Sequence, residues 1–269
     1  MSDGVGPAKT ATTTTTADVQ ATARRALACL DLTSLNDGDT DDDVRRLCRR
    51  AEGAPGRGAV AAVCVWPRFA ALARELLPGE IAVAAVANFP DGGDDIERAV
   101  RDTREIVAAG AQEVDVVLPW RRLDAAPALL GAVRNACPHQ RLKVILETGE
   151  LADDALIQRA CRNALAAGAD FLKTSTGKVK VNATPHAARL LLGTIAADTG
   201  ARSRVGFKAA GGVRSLADAG VYLALVAELL GADAVRPERF RIGASALLDD
   251  LEAVLLGAPA LAAASKPGY

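Results

Sequence analysis

The stretch FLKTSTGK at residues 171–178 says most about how this chain folds. It follows Gly168-Ala169-Asp170, a typical helix end, and it contains aromatic and β-branched residues before it stops at a glycine, so it predicts a strand. Lys173 would lie in the middle of that strand, where burying an ammonium group without a partner is costly. Either the side chain extends out of the strand end, or this position needs an amine with a depressed pKa.

A second lysine follows an apolar run in the same way. Lys208 ends the run Val205-Gly206-Phe207-Lys208, about 35 residues after Lys173, which is the separation of neighbouring βα units. Two lysines at the same end of adjacent strands would repel, and each would favour its neutral form. A neutral amine is a nucleophile whose characteristic reaction is Schiff-base formation with a carbonyl compound.

Apolar runs alternate with helical segments along the rest of the chain. Eight runs predict strands, at residues 26–32, 59–66, 81–89, 113–118, 142–147, 171–177, 205–209 and 240–243. Because the runs are apolar on both faces and are separated by helices, they indicate a parallel sheet. Eight units in roughly 250 residues fit a closed (β/α)8 TIM barrel. An open doubly wound sheet is the alternative, but no G-x-G-x-x-G follows the first strand.

Cap residues mark three helix starts, at Thr40 with Asp43, at Thr184 with Pro185, and at Ser215 with Asp218. Residues 1–19, which include a threonine run, predict a disordered N-terminal tail. Residues 20–256 would form the barrel. Residues 257–269 would form a flexible C-terminal tail, since the last predicted helix ends near Leu256.

Composition argues against several classes of protein. The chain has 269 residues, and its 32 lysines and arginines nearly balance 33 aspartates and glutamates, so nucleic acid and anionic membranes are poor partners. No apolar run approaches the length of a membrane span. The five cysteines are dispersed and never form a C-x-x-C pair, which predicts neither a disulfide framework nor a metal site. A reducing cytoplasm is the expected compartment.

Candidate catalytic residues follow from the barrel prediction, because the chemistry of this fold gathers at the carboxyl ends of the strands. Asp115 alternates with Val114 and Val116, so it would point to the opposite face of its strand. A carboxylate there needs partners, which Lys173 and Lys208 would supply. A purely structural ion pair with one lysine is the alternative.

Glycine-rich segments predict an anion site. Gly211-Gly212-Val213-Arg214 follows strand seven and Gly243-Ala244-Ser245 follows strand eight, and glycines before a helix allow backbone N–H groups to approach an anion. Tight turns alone would explain the same residues. Thr176, Gly177 and Lys178, after strand six, could join the site.

Three of these segments together closely resemble the deoxyribose-phosphate aldolase family: FLKTSTGK, the upstream EVDVV at residues 113–117 and the downstream GFKAAGGVR at residues 206–214. The resemblance runs from about Leu27 to Leu255 and returns at the terminal Tyr269. It implies reversible cleavage of 2-deoxyribose 5-phosphate into acetaldehyde and glyceraldehyde 3-phosphate, through a Schiff base on Lys173 and without a metal or organic cofactor. The expected partners are thus a phosphorylated sugar and an aldehyde, with a homodimer as a candidate assembly.

The resemblance also implies roles for single residues. Lys208 would lower the pKa of Lys173, Asp115 would relay protons through water, and Tyr269 would help to protonate C2 of the substrate. Asp31, Thr33 and Cys64 would surround the sugar hydroxyls, although from the sequence alone Asp31 could be a loop cap and Cys64 a small core residue.

The sequence departs from the family pattern at two positions. Ala209 stands where the strand-seven motif has proline, and Ala246 stands where strand eight often has a second serine. Two other functions stay open. One is a phosphate-handling barrel enzyme without an imine intermediate. The other is a catalytically silent barrel, which would be expected to lack one of Lys173, Lys208 and Asp115.

Overall fold

A computed structural model describes residues 15–54 and 56–261 of the chain. Eight parallel strands pair in sequence order, and the eighth returns to the first, which closes the sheet into a barrel. This confirms the predicted (β/α)8 fold. The strands are β1 Leu30–Thr33, β2 Ala62–Val65, β3 Ala82–Ala87, β4 Glu113–Val117, β5 Arg141–Ile145, β6 Phe171–Lys173, β7 Gly206–Ala210 and β8 Phe240–Ala244.

Helices surround the barrel and connect its strands. They are α1 Thr16–Ala28, α2 Asp41–Ala51, α3 Ala70–Leu76, α4 Ile96–Ala108, α5 Ala126–Ala136, α6 Thr148–Leu151, α7 Asp154–Ala166, α8 Pro185–Ala197, α9 Leu216–Leu230 and α10 Leu247–Leu255, with 3-10 turns at Pro67–Phe69, Trp120–Ala125 and Ala232–Ala234. Within residues 15–54 and 56–261, no helix is both long and apolar enough to cross a membrane.

The helix α1 is the main difference from the sequence prediction. Residues up to 19 were predicted to be a disordered tail, but the helix begins at Thr16, capped by the Thr15 side chain with Asp18 completing the box. Residues 1–14 lie outside the described part of the chain. The first strand correspondingly starts at Leu30 rather than at residue 26, because Ala26 and Leu27 bury themselves in the last turns of α1.

Cap signals elsewhere located the helix starts correctly. Thr40, Thr184 and Ser215 each accept a hydrogen bond from a backbone N–H in the first turn of the following helix. By contrast, the sixth strand is shorter than predicted and ends at Lys173. Of the threonines that follow, Thr174 exchanges hydrogen bonds with the backbone of Ala210 at the end of β7, and Thr176 donates its hydroxyl to Glu147 after β5.

The two faces of the barrel strands carry different chemistry. Outward residues such as Val114, Leu172 and Phe207 pack with the helices in one continuous apolar core. Seven inward residues of β1 and β4–β8 are charged and buried: Asp31, Glu113, Asp115, Lys143, Lys173, Lys208 and Arg241. Branched apolar side chains usually fill the interior of this fold. Here small residues on the strands between β1 and β4, including Ala62, Cys64 and Ala84, leave room for long charged ones.

Gly206 begins β7 at a point where the barrel has no space for a side chain. A Cβ atom there would collide with the ring of Phe171 and would lie 2.7 Å from the carbonyl oxygen of Arg239. Because that oxygen belongs to the backbone, relieving the contact would require the strand itself to shift. That carbonyl also accepts the N–H of Phe207 in the ladder between β7 and β8.

We therefore expect Gly206→Ala to destabilise the protein by about 1–3 kcal/mol, the usual cost of overpacking. Gly131→Ala is the matched control, because Gly131 lies inside α5 with open space around its Cβ position, and alanine there should stabilise by about 0.5–1 kcal/mol. Urea unfolding curves of both variants test this. Equal effects of the two substitutions would contradict the packing of β6 against β7.

Candidate active site

Asp115 is the centre of the charged cluster inside the barrel. Its Oδ1 lies 2.7 Å from Lys143 Nζ, and its Oδ2 lies 2.7 Å from Lys173 Nζ and 2.8 Å from Lys208 Nζ. Strand register produces this arrangement, because Asp115 pairs with Lys143 across β4 and β5, and Lys173 pairs with Lys208 across β6 and β7. The structure thus brings together the three residues predicted to form the reactive centre and adds a third lysine.

Two further carboxylates and an arginine extend the cluster. Asp31 Oδ2 lies 2.5 Å from Lys208 Nζ, and Asp31 Oδ1 lies 2.6 Å from Arg241 Nη1. Glu113 contacts Arg241 Nη2 at 2.8 Å and Lys143 Nζ at 2.6 Å. Each buried charge therefore has at least one opposite charge in direct contact, which offsets the cost of removing it from water.

The cations keep the three carboxylates ionised. Burial alone would raise the pKa of Asp115, but Lys143, Lys173 and Lys208 hold that pKa well below its usual range. Asp31 is affected in the same way, with its pKa lowered against burial by Lys143, Lys208 and Arg241. These carboxylates are consequently weak bases and strong hydrogen-bond acceptors.

The two predicted lysines behave differently from each other. Burial lowers the pKa of Lys173, and Lys208 adds to this effect while Asp115 opposes it. Burial also works to lower the pKa of Lys208, but Asp115 and Asp31 together overcome it and raise that pKa above its ordinary value. The expectation that each lysine favours its neutral form is therefore wrong for Lys208, because Lys208 contacts two carboxylates and Lys173 contacts one.

A polar cavity of about 300 Å³, which we call the mouth cavity, opens at the carboxyl end of the strands, above the cluster. Lys173 reaches this cavity from the cluster. The other lining residues come from loops after β1, β6, β7 and β8: Thr33, Ser34, Leu35, Asn36, Thr176, Gly177, Lys178, Ala210, Gly211, Gly212, Val213, Arg214, Gly243, Ala244, Ser245 and Ala246. All the predicted anion-site residues, from Thr176 to Ser245, therefore line one cavity.

Two glycine loops shape one wall of this cavity. Gly211 and Gly212 both have φ of +82°, a region that favours glycine. Gly243 allows Lys208 to pass, since a Cβ there would lie 3.0 Å from Lys208 Cε. Asp250 of α10 accepts the N–H of Leu216 at 2.6 Å and thereby ties the start of α9 to α10.

The two helix starts beside the cavity differ in their free donors. At α9, Asp218 accepts the backbone N–H groups of Arg214 and Ser215. At α10, no side chain from the described residues caps the helix at Ala246. The first N–H groups of α10 thus stay available at the cavity wall, where a helix N-terminus favours an anion.

The loop after β6 is held by residues that follow two other strands, β5 and β1. Glu147, which follows β5 with a positive φ of 53°, accepts hydrogen bonds from Thr176 Oγ1 at 2.5 Å and from the Thr176 N–H at 3.2 Å. Burial raises the pKa of Glu147. Lys178 Nζ donates to the carbonyl oxygen of Leu35 at 2.6 Å across the mouth. These contacts place the Thr176–Lys178 loop over the cavity.

Some predicted residues lie elsewhere than expected. Asp31 and Cys64 are fully buried below the cavity; Asp31 belongs to the charged cluster, and Cys64 Sγ lies 3.9 Å from Asp115 Oδ2. Of the three residues expected around the sugar hydroxyls, only Thr33 lines the cavity formed by the described residues. Tyr269 lies outside the described residues.

The sequence prediction missed four buried residues of the site: Glu113, Lys143, Glu147 and Arg241. Three of them carried the same signal as Asp115, a charged residue alternating with apolar ones inside a strand. In the described ranges, no group of histidine, cysteine, aspartate and glutamate side chains has an arrangement that could hold a metal ion.

The closed barrel, with a buried amine reaching a polar cavity at the carboxyl end of its strands, has the architecture of a (β/α)8-barrel enzyme. The model of the DeoC/LacD family aldolases matches residues 25–252, and the chain belongs to this family. The resemblance read from the sequence is therefore confirmed, and the protein is an aldolase.

Solved structures agree with this assignment. A protein provisionally described as a deoxyribose-phosphate aldolase from Toxoplasma gondii ME49 superposes with a TM-score of 0.80 and 26% identity, over 91% of this chain and 98% of that one. A protein with the same provisional description from Coccidioides immitis gives 0.73 and 27%, over 86% and 87%. The tetrameric deoxyribose phosphate aldolase from Aeropyrum pernix gives 0.68 and 26%, over 88% and 97%.

The central position of Asp115 leads to a stability prediction. Asp115→Asn keeps the shape but leaves three lysines around a neutral amide, so we expect a loss of roughly 3–5 kcal/mol at neutral pH. Because the pKa of Asp115 is depressed in the folded state, its contribution is complete above the unfolded value of about 4 and is lost as the pH falls below it. The difference between the parent and the variant should therefore narrow in acid.

Asp249→Asn is the control, because Asp249 is an exposed carboxylate paired with Arg50, and such pairs contribute about 0–1 kcal/mol. Urea unfolding at pH 7 and at several acid pH values gives the comparison. If Asp115→Asn were as stable as the parent at pH 7, the ionic cluster would not exist in solution.

Proposed function

We propose that this aldolase reversibly cleaves 2-deoxyribose 5-phosphate into acetaldehyde and glyceraldehyde 3-phosphate through a Schiff base on Lys173. The observation that carries the proposal is the position of Lys173, whose amine has a lowered pKa and reaches the mouth cavity from an otherwise charged and closed cluster. Membership in an aldolase family supports the reaction type. The names of the structural neighbours support the substrate.

Lys173 is suited to nucleophilic attack because its neutral form is accessible. Its amine adds to the aldehyde carbon C1 of the sugar, and loss of water leaves a protonated imine. The cationic imine draws electrons from C2, so that the C2–C3 bond breaks when the C3 hydroxyl loses its proton. Glyceraldehyde 3-phosphate leaves, the enamine gains a proton at C2, and water releases acetaldehyde and the free amine.

Asp115 and Lys208 support this chemistry from below. The Asp115 carboxylate contacts Lys173 at 2.7 Å and stabilises the cationic imine. Asp115 also relays the C3 hydroxyl proton through ordered water. Lys208 stays charged, keeps Asp115 ionised and lowers the pKa of Lys173. Protonation of C2 by Tyr269 remains a prediction.

The phosphate group binds at the glycine loops of the cavity. The open N–H groups at the start of α10 beside Gly243 and Ser245, together with the backbone of Gly211 and Gly212 and the side chain of Arg214, form an anion-binding wall. Ala246 supplies a backbone N–H but no hydroxyl. Lys178 adds positive charge from the opposite loop.

The state of the cysteines bears on the cellular location. We place the protein in a reducing cytoplasm, since all five cysteines are buried and free. The homodimer remains a prediction.

The imine itself can be trapped. Acetaldehyde followed by borohydride should add one ethyl group per chain, at Lys173, as identified by peptide mass spectrometry. Lys208 should not react because its contacts with Asp31 and Asp115 keep it protonated. Lys173→Met is the control and should abolish labelling. Labelling at other lysines only, or at none, would favour a barrel enzyme without an imine intermediate.

The phosphate assignment predicts a loss that depends on the substrate. Arg214→Ala should raise KM for 2-deoxyribose 5-phosphate by about tenfold or more, since a hydrogen bond to a charged group contributes roughly 1.5–3 kcal/mol. It should leave kcat/KM for unphosphorylated 2-deoxyribose nearly unchanged, and Ser245→Ala should act in the same direction. Arg121→Ala is the control, because Arg121 is exposed and stacks on Trp120 away from the cavity lining. Equal losses for both sugars would refute the assignment.

A further inference from the structure

Three members of the charged cluster lie at its far side and have no part in the reaction described above. Glu113, Lys143 and Arg241 are at most 2% exposed, and none of them lines the mouth cavity formed by the described residues. Burying three charged side chains costs several kcal/mol of desolvation free energy unless they are paired. Their presence beneath a reactive amine therefore calls for an explanation beyond packing.

We propose that Glu113, Lys143 and Arg241 are positioning residues whose net positive charge balances the barrel interior and so holds the Lys173 amine in its neutral form. The inference rests on the proposed function, in which Lys173 must be neutral to attack an aldehyde.

The number of charges supports this role. The cluster contains three carboxylates, of Asp31, Glu113 and Asp115, whose pKa values are all lowered. It contains three cations besides Lys173, which are Lys143, Lys208 and Arg241, and the pKa of each is raised. The interior is thus electrically neutral only while Lys173 carries no proton. Protonation of Lys173 would leave a net charge in a medium of low dielectric constant, which is costly.

Direct contacts connect the far-side residues to the reactive end. Lys143 Nζ lies 2.6 Å from Glu113, 2.7 Å from Asp115 and 3.3 Å from Asp31. Arg241 bridges Glu113 at 2.8 Å and Asp31 at 2.6 Å. Because both carboxylates that hold Lys208 also contact Lys143, a change of charge at the far side alters the whole field around Lys173.

Other groups near the cluster add less. Cys64 on β2 stays a thiol, since burial raises its pKa. Glu147, after β5, has a raised pKa and is hydrogen-bonded to Thr176, outside the ion-pair contacts of the cluster among the described residues. Arg141 contacts Glu113 at 2.7 Å, but its side chain is 34% exposed, so water screens its charge.

The proposal makes predictions of opposite sign. Lys143→Met or Arg241→Met removes a positive charge, so Lys173 should take up a proton more readily and its pKa should rise by about one pH unit or more. Glu113→Gln removes a negative charge, and the pKa of Lys173 should fall by a similar amount. The double variant Glu113→Gln with Arg241→Met removes one charge of each sign, and the pKa should return close to that of the parent.

The measurement is the rate of acetylation of Lys173 by trace acetic anhydride across a pH series, read by peptide mass spectrometry in the full chain. This reagent reports the neutral amine without requiring an imine or turnover. Arg241→Lys is the control that preserves the charge, and the pKa of Lys173 should remain within a few tenths of a unit of the parental value. Circular dichroism of each variant excludes unfolding as the cause of a change.

Opposite shifts for Lys143→Met and Glu113→Gln, cancelled in the double variant, support the proposal. Shifts in one direction for all variants, or no shift in folded variants, overturn it, because loss of packing does not depend on the sign of a charge. If Lys143→Met does not fold, Arg241→Met gives the same change of charge. Failure of borohydride trapping with these shifts intact would instead contradict the proposed function alone.

Discussion

Charge balance inside a closed and buried barrel interior is the constraint on which the rest of this structure depends. Seven ionisable side chains occupy the interior, and none of them is more than 3% exposed. An unpaired charge there would cost several kcal/mol, so each group must find its counterion within the barrel. Asp115 contacts three lysines at once, and these contacts hold its pKa well below the usual range.

The same constraint explains the composition of the strands. Charged side chains reach inward from β4–β8, and β2 and β3 face them with small residues such as Ala62 and Ala84, which leave the volume that long side chains need. Most of the apolar core consequently lies on the outer face of the sheet, where residues such as Val144 and Leu172 pack against the helices. A smaller apolar cluster, which includes Val117 and Ile145, packs separately with Cys64 and Ala84. A buried ionic interior adds little net stability compared with an apolar one, but it fixes the position of each amine closely.

The strands and the loops form different parts of the cavity. The strands place Lys173 at the base of the cavity, while the loops after β1, β6, β7 and β8 form its polar walls. Gly243 contributes to the base and to the walls of the cavity. It has no side chain, so Lys208 can pass, and it lies close to the uncapped start of α10. Glu147 positions the loop after β6 through two hydrogen bonds from Thr176. This division suits the proposed reaction, in which an anion binds at one end of the substrate and an amine attacks a carbonyl at the other.

The sequence alone determined the fold class, the number of strand–helix units, three of the helix caps and the central trio of Lys173, Lys208 and Asp115. These features depend on local periodicity, on short-range capping and on the register of adjacent strands, all of which are encoded in neighbouring residues. The prediction of a disordered tail up to residue 19 was wrong for a local reason. The N-cap of α1, Thr15, lies within a threonine run whose composition is typical of a disordered segment.

Only the tertiary structure decided which charges meet. Lys208 contacts Asp31, a residue 177 positions away in the chain, and Arg241 contacts both Asp31 and Glu113, which no pattern of spacing reveals. The opposite pKa shifts of Lys173 and Lys208 follow from these partners. Burial lowers the pKa of both amines, but Lys208 contacts two carboxylates and Lys173 contacts only one. Closure of the barrel brings β1 beside β8 and thus creates these contacts, which makes the protonation state of Lys173 a property of the whole barrel rather than of its own strand.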